Sequence, residues 1–253
     1  MAKVLIFRQP ERMNIPILSL QNNHFPNIDE AVSHRDGLVA MGGDLSPARL
    51  KSAYRLGIFP WFSDNQPILW WCLSPRTVLF PDQLHIGKSL GKTIRNTAYV
   101  VTMNTAFEKV IAACAATPRP NQDGTWITAD MQRAYIRLHQ QGVAHSFEYW
   151  CKDHSGSLKL GGGLYGVQIG RIFYGESMFA QTPNASKVAF VWAVDFLKKS
   201  GIYLIDCQMQ TEHLMRFGAY QMPLKDFQAA LSCYCDLPPL QSFQAQILRN
   251  NMD

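Results

Sequence analysis

Residues 145–179, HSFEYWCKDHSGSLKLGGGLYGVQIGRIFYGESMF, constrain this chain more than any other stretch. They are rich in aromatic residues and are cut by glycines at short intervals. That pattern predicts a meander of antiparallel strands. The period then changes. NASKVAFVWAVDFLKKSG (184–201) reads as a long helix that begins near Asn184 or Ser186 and stops at Gly201. It places Lys198 and Lys199 at its negative C-terminal end. IYLIDCQ (202–208) returns to strand. Strand (171–179), helix, strand is the pattern of a right-handed βαβ crossover. An antiparallel meander feeding such a unit predicts a mixed α+β body.

Upstream, the punctuation is that of helices. In DLSPARLKSAYRLGIFPWF (44–62), Ser46 is a natural N-cap, Pro47 suits the first helical position and Gly57 ends the helix. TADMQRAYIRLHQQG (128–142) carries Thr128 as cap and Gly142 as stop, and TEHLMRFG (211–218) is a short helix capped by Thr211. The proline-containing turns around residues 60–76 mark a boundary. The chain has 253 residues and is 47% hydrophobic, enough for one large domain or two smaller ones. The boundary divides it into a small N-terminal domain, 1–74, and a larger body, 75–253.

Several function classes recede on composition. MAKVLIFRQPERMN at the start has Lys3 and Arg8 interrupting a short apolar run, unlike a signal peptide. The apolar run VAFVWAVDFL (188–197) is too short to span a bilayer and contains Asp195. A soluble, cytoplasmic protein with no membrane partner is the expectation. The six cysteines are scattered without paired CxxC motifs, so they read as free thiols. Cys233 and Cys235 lack a nearby histidine, and no His or Cys spacing suggests a metal. No cofactor is expected. A net charge of +5 permits a nucleic-acid partner without demanding one.

GGGLYG (161–166) formally matches G-x-G-x-x-G, but it sits between two expected strands with no helix opening within it. Its glycines read instead as places where a strand bends or a neighbour comes close. In YGESMF (174–179), Glu176 is a carboxylate in an apolar strand, either structurally paired or in a site. Asp206 and Gln208 end the other strand of the crossover. Clefts open at the C-terminal ends of such strands, so the three side chains are expected to converge. A carboxamide does not titrate but can accept from an amine or donate to a carbonyl. No Ser–His or Cys–His pair stands out, because His145 and His213 lack an evident orienting partner. In LHIGKSLGKTIRN (84–96), Lys88, Lys92 and Arg95 form one basic stripe if helical, a solvated face or a phosphate contact. Trp61 and Trp126 are either core or base-stacking residues.

The blocks GLVAMGGDLSPARLKSAYRLGIFPWF, PILWWCLSPR, GTWIT, AHSFEYW, GGGLYG, GESMFAQTPNASK and LIDCQ run in order from about residue 37. Together they resemble the leucyl/phenylalanyl-tRNA–protein transferase family. The resemblance implies a small N-terminal domain and a GNAT-like (acyl-CoA N-acetyltransferase-like) catalytic domain. It implies transfer of Leu or Phe, with Met as a further donor, from Leu-tRNA or Phe-tRNA to proteins with N-terminal Arg or Lys. The product enters N-end-rule degradation. It makes Glu176, Asp206 and Gln208 the polar centre and sets Trp61 and Trp126 on the terminal adenosine of the tRNA. It assigns Leu164, Phe173, Met178, Phe190 and Ile205 to the aminoacyl side-chain pocket, and Lys88, Lys92 and Arg95 to the acceptor stem. A monomer is the expected state. Strict strand alternation sets Ile205 on the face opposite Asp206 and Gln208. The implied site therefore wraps the strand end, or a bulge re-aims one side chain.

The implied chemistry is alignment more than acid–base strength, because an aminoacyl ester is already activated. A free α-amino group titrates at about 7.7–8.0, so roughly a tenth or more is neutral at pH 7. Gln208 is expected to position the amine or carbonyl, Asp206 to orient Gln208 or the amine, and Glu176 to fix the aminoacyl ester. Two rival readings are an acyl-CoA-dependent N-acyltransferase and a non-catalytic RNA-binding or degradation-adaptor protein. The first usually needs a glycine-rich loop before the long helix, and AQTPNASK (180–187) contains no glycine. The second leaves carboxylates in an apolar sheet with no role to offset their burial.

Overall fold

Ser46 turns an extended segment into a helix. Its hydroxyl accepts the Arg49 backbone N–H at 3.3 Å, and Pro47 occupies the first turn, where no donor is needed. The computed structural model describes residues 15–118 and 125–252. The sequence reading of the first fourteen residues, and Gly124 of GTWIT, lie outside the described residues. The N-terminal region forms β1 (Ile17–Leu18), α1 (Ile28–His34), β2 (Leu38–Gly42), α2 (Pro47–Arg55), β3 (Phe59–Pro60) and β4 (Leu69–Trp71). Then follow β5 (Arg76–Leu79), a 3₁₀ turn (Pro81–Gln83), α3 (Lys88–Asn96), β6 (Tyr99–Met103), α4 (Phe107–Ala116) and α5 (Ala129–Gln140). The meander is β7 (Ala144–Lys152), β8 (Leu158–Ile169) and β9 (Ile172–Ala180). The chain closes with α6 (Ala185–Lys199), β10 (Leu204–Gln208), α7 (Glu212–Arg216), β11 (Tyr220–Met222), α8 (Leu224–Tyr234) and β12 (Gln246–Asn251).

Two sheets result. The smaller has the order β1-β2-β4-β3, and the larger is eight-stranded, β11-β5-β10-β9-β8-β7-β6-β12. The expected meander is there: β7, β8 and β9 pair antiparallel. The expected crossover is there too, with β10 parallel to β9 and Ile205 opposite Phe173. The mixed α/β class with a small N-terminal region therefore stands. Thr128 and Thr211 cap α5 and α7 as their positions predict, each accepting a backbone N–H at 3.2 Å. Asn184 does precede α6, but it makes no side-chain cap and lies in the left-handed region at φ 63°.

GGGLYG lies inside β8, not between two strands as its glycines suggest. Its glycines do admit close neighbours. A Cβ on Gly162 would stand 2.6 Å from the Cβ of Ala185, so this glycine lets the first turn of α6 rest on the sheet. A Cβ on Gly166 would stand 2.3 Å from the Tyr174 carbonyl oxygen, beside an irregularity in the β8–β9 register.

Apolar side chains cover both faces of the large sheet. One face carries Tyr165, Val167, Ile172 and Tyr174 against α4 and α5, and its core continues without a break into the small sheet through Tyr54, Phe59 and Trp70. The other carries Leu164, Phe173 and Ile205 against α6. Helix α6 is apolar nearly all round because α3 and the C-terminal segment cover its outer side. Among the described residues no helix is long and apolar enough to cross a membrane.

Candidate active site

β9 and β10 run parallel, so their C-terminal ends meet at the same edge of the sheet. A cavity of about 380 Å³ opens there. All five residues expected to hold an aminoacyl side chain line it: Leu164, Phe173, Met178, Phe190 and Ile205. Trp61 and Trp126, far apart in the sequence, line it as well. Trp126 is buried, and Trp61 is half-buried with its ring edge-on to Trp71 at 5.9 Å. Two polar side chains of the expected trio, Glu176 and Gln208, border this apolar space.

The third, Asp206, does not. It is completely buried on the other side of β10 and forms a two-pronged ion pair with Arg76 of β5. Arg76 Nε donates to Oδ1 at 2.8 Å and Nη2 to Oδ2 at 2.7 Å. The Arg76 guanidinium carbon lies 4.9 Å and 5.0 Å from the ring centres of Phe59 and Phe227. The expectation that Asp206 and Gln208 share one face is thus corrected. Alternation holds through Cys207, which lines the cavity with Ile205. The β10–β5 register then shifts between Asp206 and Gln208, and Gln208 adopts φ 54°. This bulge turns Gln208 into the cavity beside residues it should oppose. Asp206 Oδ1 accepts the Gln208 backbone N–H at 2.9 Å, so the ion pair fixes the bulge.

Glu176 is held by two phenols. Tyr54 of α2 donates to Oε1 at 2.6 Å and Tyr135 of α5 donates to Oε2 at 3.0 Å. The two hydroxyls also contact each other. Tyr174 O–H, on the same strand as Glu176, donates to the Tyr54 carbonyl at 2.7 Å. Burial carries the Glu176 carboxyl up from 4.5 to about 7, partly offset by the two phenol donors. Burial likewise raises the pKa of both phenols well above the ordinary tyrosine value. Neither tyrosine stands out in the sequence, because each looks like a helix core position.

His213 of α7 also lines the cavity, and burial, then the nearby Lys187 and Arg216, lower its pKa. His145 does not line it. His145 is buried, with Nδ1 3.0 Å from Asn104 Nδ2, and burial pushes its pKa down to about 3. A further buried carboxylate, Glu148, escaped the sequence reading. It accepts from the hydroxyls of Thr102, Thr105 and Ser146 and from the Ala106 N–H, away from the cavity. Lys88, Lys92 and Arg95 are exposed on α3, where they border one shallow depression. Among the described residues no group of His, Cys, Asp and Glu could hold a metal ion.

The chain that carries this apolar chamber, lined by two indoles with one carboxyl and one carboxamide at its edge, is similar in sequence to known proteins. A family model described as leucyl/phenylalanyl-tRNA protein transferase matches residues 78–232, and the model of that family's N-terminal domain matches residues 43–74. A leucyl/phenylalanyl-tRNA–protein transferase of Neisseria meningitidis serogroup B is 54% identical over 215 residues, covering 85% of this chain and 89% of that protein. One of Anaeromyxobacter sp. (strain K) is 54% identical over 213 residues, covering 84% and 89%. One from another Anaeromyxobacter strain is 49% identical over 236 residues, covering 93% of each chain. The chain belongs to the leucyl/phenylalanyl-tRNA–protein transferase family.

Proposed function

We propose that this protein moves an aminoacyl group, Leu or Phe and also Met, from the 3′ end of its tRNA to the N-terminal Arg or Lys of acceptor proteins. The products would enter N-end-rule degradation in the cytoplasm. The observation that carries this reading is the cavity. Its walls are apolar at Leu164, Phe173, Met178, Phe190 and Ile205, and the polar residues of β9 and β10 that line it include Glu176, Ser177 and Gln208. Such a chamber takes an apolar side chain and separates near-isosteres by only ~1–3 kcal/mol. Trp61 and Trp126 offer flat surfaces for the terminal adenine. The basic stripe of Lys88, Lys92 and Arg95 would meet the acceptor stem through phosphates.

In this reading Glu176 holds the α-amine of the aminoacyl ester. Gln208 aligns the incoming amine with the ester carbonyl, and alignment supplies most of the acceleration for an activated ester. Asp206 acts at one remove, as a positioning residue: it sets the backbone of Gln208 and stays paired with Arg76. The finer fold assignment, a GNAT-like catalytic domain beginning near residue 75, belongs to the same proposal. The change from the small sheet to the large one between β4 and β5 supports that boundary, and the meander followed by a parallel crossover supports the assignment.

Transfer of radiolabelled Phe from Phe-tRNA to an Arg-started peptide, with acetyl-CoA offered as an alternative donor, tests the reading. Wild type should use the tRNA and ignore acetyl-CoA. Gln208→Ala should slow transfer roughly tenfold or more at unchanged thermal stability. Acetyl transfer, or a Gln208→Ala rate equal to wild type, would sink the assignment.

A further inference from the structure

Three groups meet behind the cavity: Tyr54 from α2, Tyr135 from α5 and Glu176 from β9. They make three oxygen–oxygen links, one from each phenol to a separate carboxyl oxygen and one between the phenols. Each link needs one hydrogen between its oxygens. The phenols supply two. If Glu176 is ionised, one link is left with lone pairs facing lone pairs, whichever way the hydroxyls turn. If Glu176 carries a proton, three hydrogens fill three links. Across one of its two links Glu176 then donates to the phenol instead of accepting from it, so each group donates once and accepts once, and the donors in such a ring reinforce one another.

We propose that Tyr54, Tyr135 and Glu176 form a closed ring that stores a proton on Glu176 in the unliganded protein. The α-ammonium of an aminoacyl ester, arriving at the cavity face of Glu176, expels that proton to solvent. The step balances without any change at carbon: a neutral carboxylic acid and an ammonium ion become a carboxylate–ammonium pair and one released proton. Tyr54 and Tyr135 are positioning residues in this scheme, because they act through Glu176. The inference rests on the transferase reading above for the identity of the amine.

The other groups near Glu176 leave the ring in control. Asp206 on β10 raises its pKa and Arg76 on β5 lowers it, and these two already pair with each other. Tyr165 on β8 stands behind Tyr135, with ring centres 5.6 Å apart, and Tyr174 packs on Tyr54 at 4.8 Å. His213 on α7 borders the same cavity. Two phenols acting only as separate donors would stabilise the carboxylate and hold the proton more loosely. The third link reverses that sign.

Calorimetric titration with a non-hydrolysable phenylalanyl-adenosine amide, in buffers of different ionisation enthalpy, counts the protons released on binding. Wild type should release close to one proton at about pH 6 and roughly half of one near pH 7. The analogue lacking the α-amine should release none, as should Glu176→Gln with the intact ligand. Tyr54→Phe and Tyr135→Phe should release less than wild type at pH 7. A larger release in either variant would mean that the phenols are simple donors, and overturns the ring. Tight binding by wild type with no proton released also overturns it while leaving the transferase reading in place. Failure of the amide to bind at all would instead remove the transferase reading.

Discussion

Glu176 ties the protein's stability to pH in a direction opposite to that of most carboxylates. Its pKa is higher in the folded chain, about 7 against 4.5. Between those values the folded state holds the proton and the unfolded state does not. The resulting stabilisation is fully present below pH 4.5 and is lost as pH rises through 7. Comparing the pH dependence of thermal unfolding in wild type and Glu176→Gln isolates it. The variant should gain on wild type as pH rises from 4.5 to about 7, and the difference between them should stay constant above. A difference that is flat across this window would refute the shift. At this scale the sequence was a good guide to which residues are unusual and a poor guide to what they touch. A carboxylate in an apolar strand flagged Glu176. Nothing local signalled that Tyr54 and Tyr135, 122 and 41 residues away in the chain, would meet it.

Elements were legible where a side chain announces an end. Ser46, Thr128 and Thr211 carry hydroxyls that satisfy the first helical N–H groups, and the helices begin where those residues stand. Helix α4 follows Ala106 with no side-chain cap and α8 follows Pro223 with none, so neither leaves such a mark. The bulge in β10 was equally silent, because strict alternation sets Gln208 with Asp206 and only the pull of Asp206 on the Gln208 N–H breaks it. The seat of α6 on β8 is a further test. Gly162→Ala places a methyl where Ala185 already is, so the first turn of α6 must lift. Urea unfolding should show a loss of about 1–3 kcal/mol. An unchanged midpoint would mean that α6 does not rest there.

Over the whole molecule, the Arg76–Asp206 pair joins regions that the sequence keeps far apart. β5 and β10 hold the ions, Phe59 of the small sheet and Phe227 of α8 supply the rings, and both charges are fully buried. Removing one partner strands the other. Asp206→Ala should cost about 3–5 kcal/mol in urea unfolding, and combining it with Arg76→Met should recover much of that. Equal stability of Asp206→Ala and wild type would show that the pair is not closed in solution. This coupling also means that lost transfer in an Asp206 variant reports on folding before chemistry.

The strand order has a consequence for how the molecule is made. β5 lies between β10 and β11, both of which come from the last quarter of the chain. At roughly 5–20 residues per second, β5 leaves the ribosome on the order of ten seconds before β10 exists. Through that interval the Arg76 cation has no anion to meet and β5 has no neighbour on either side. The N-terminal region must therefore wait for the far end of the chain before the large sheet can close around the chamber. A nascent chain stalled within α6 would have the walls contributed by β8 and β9 but no floor.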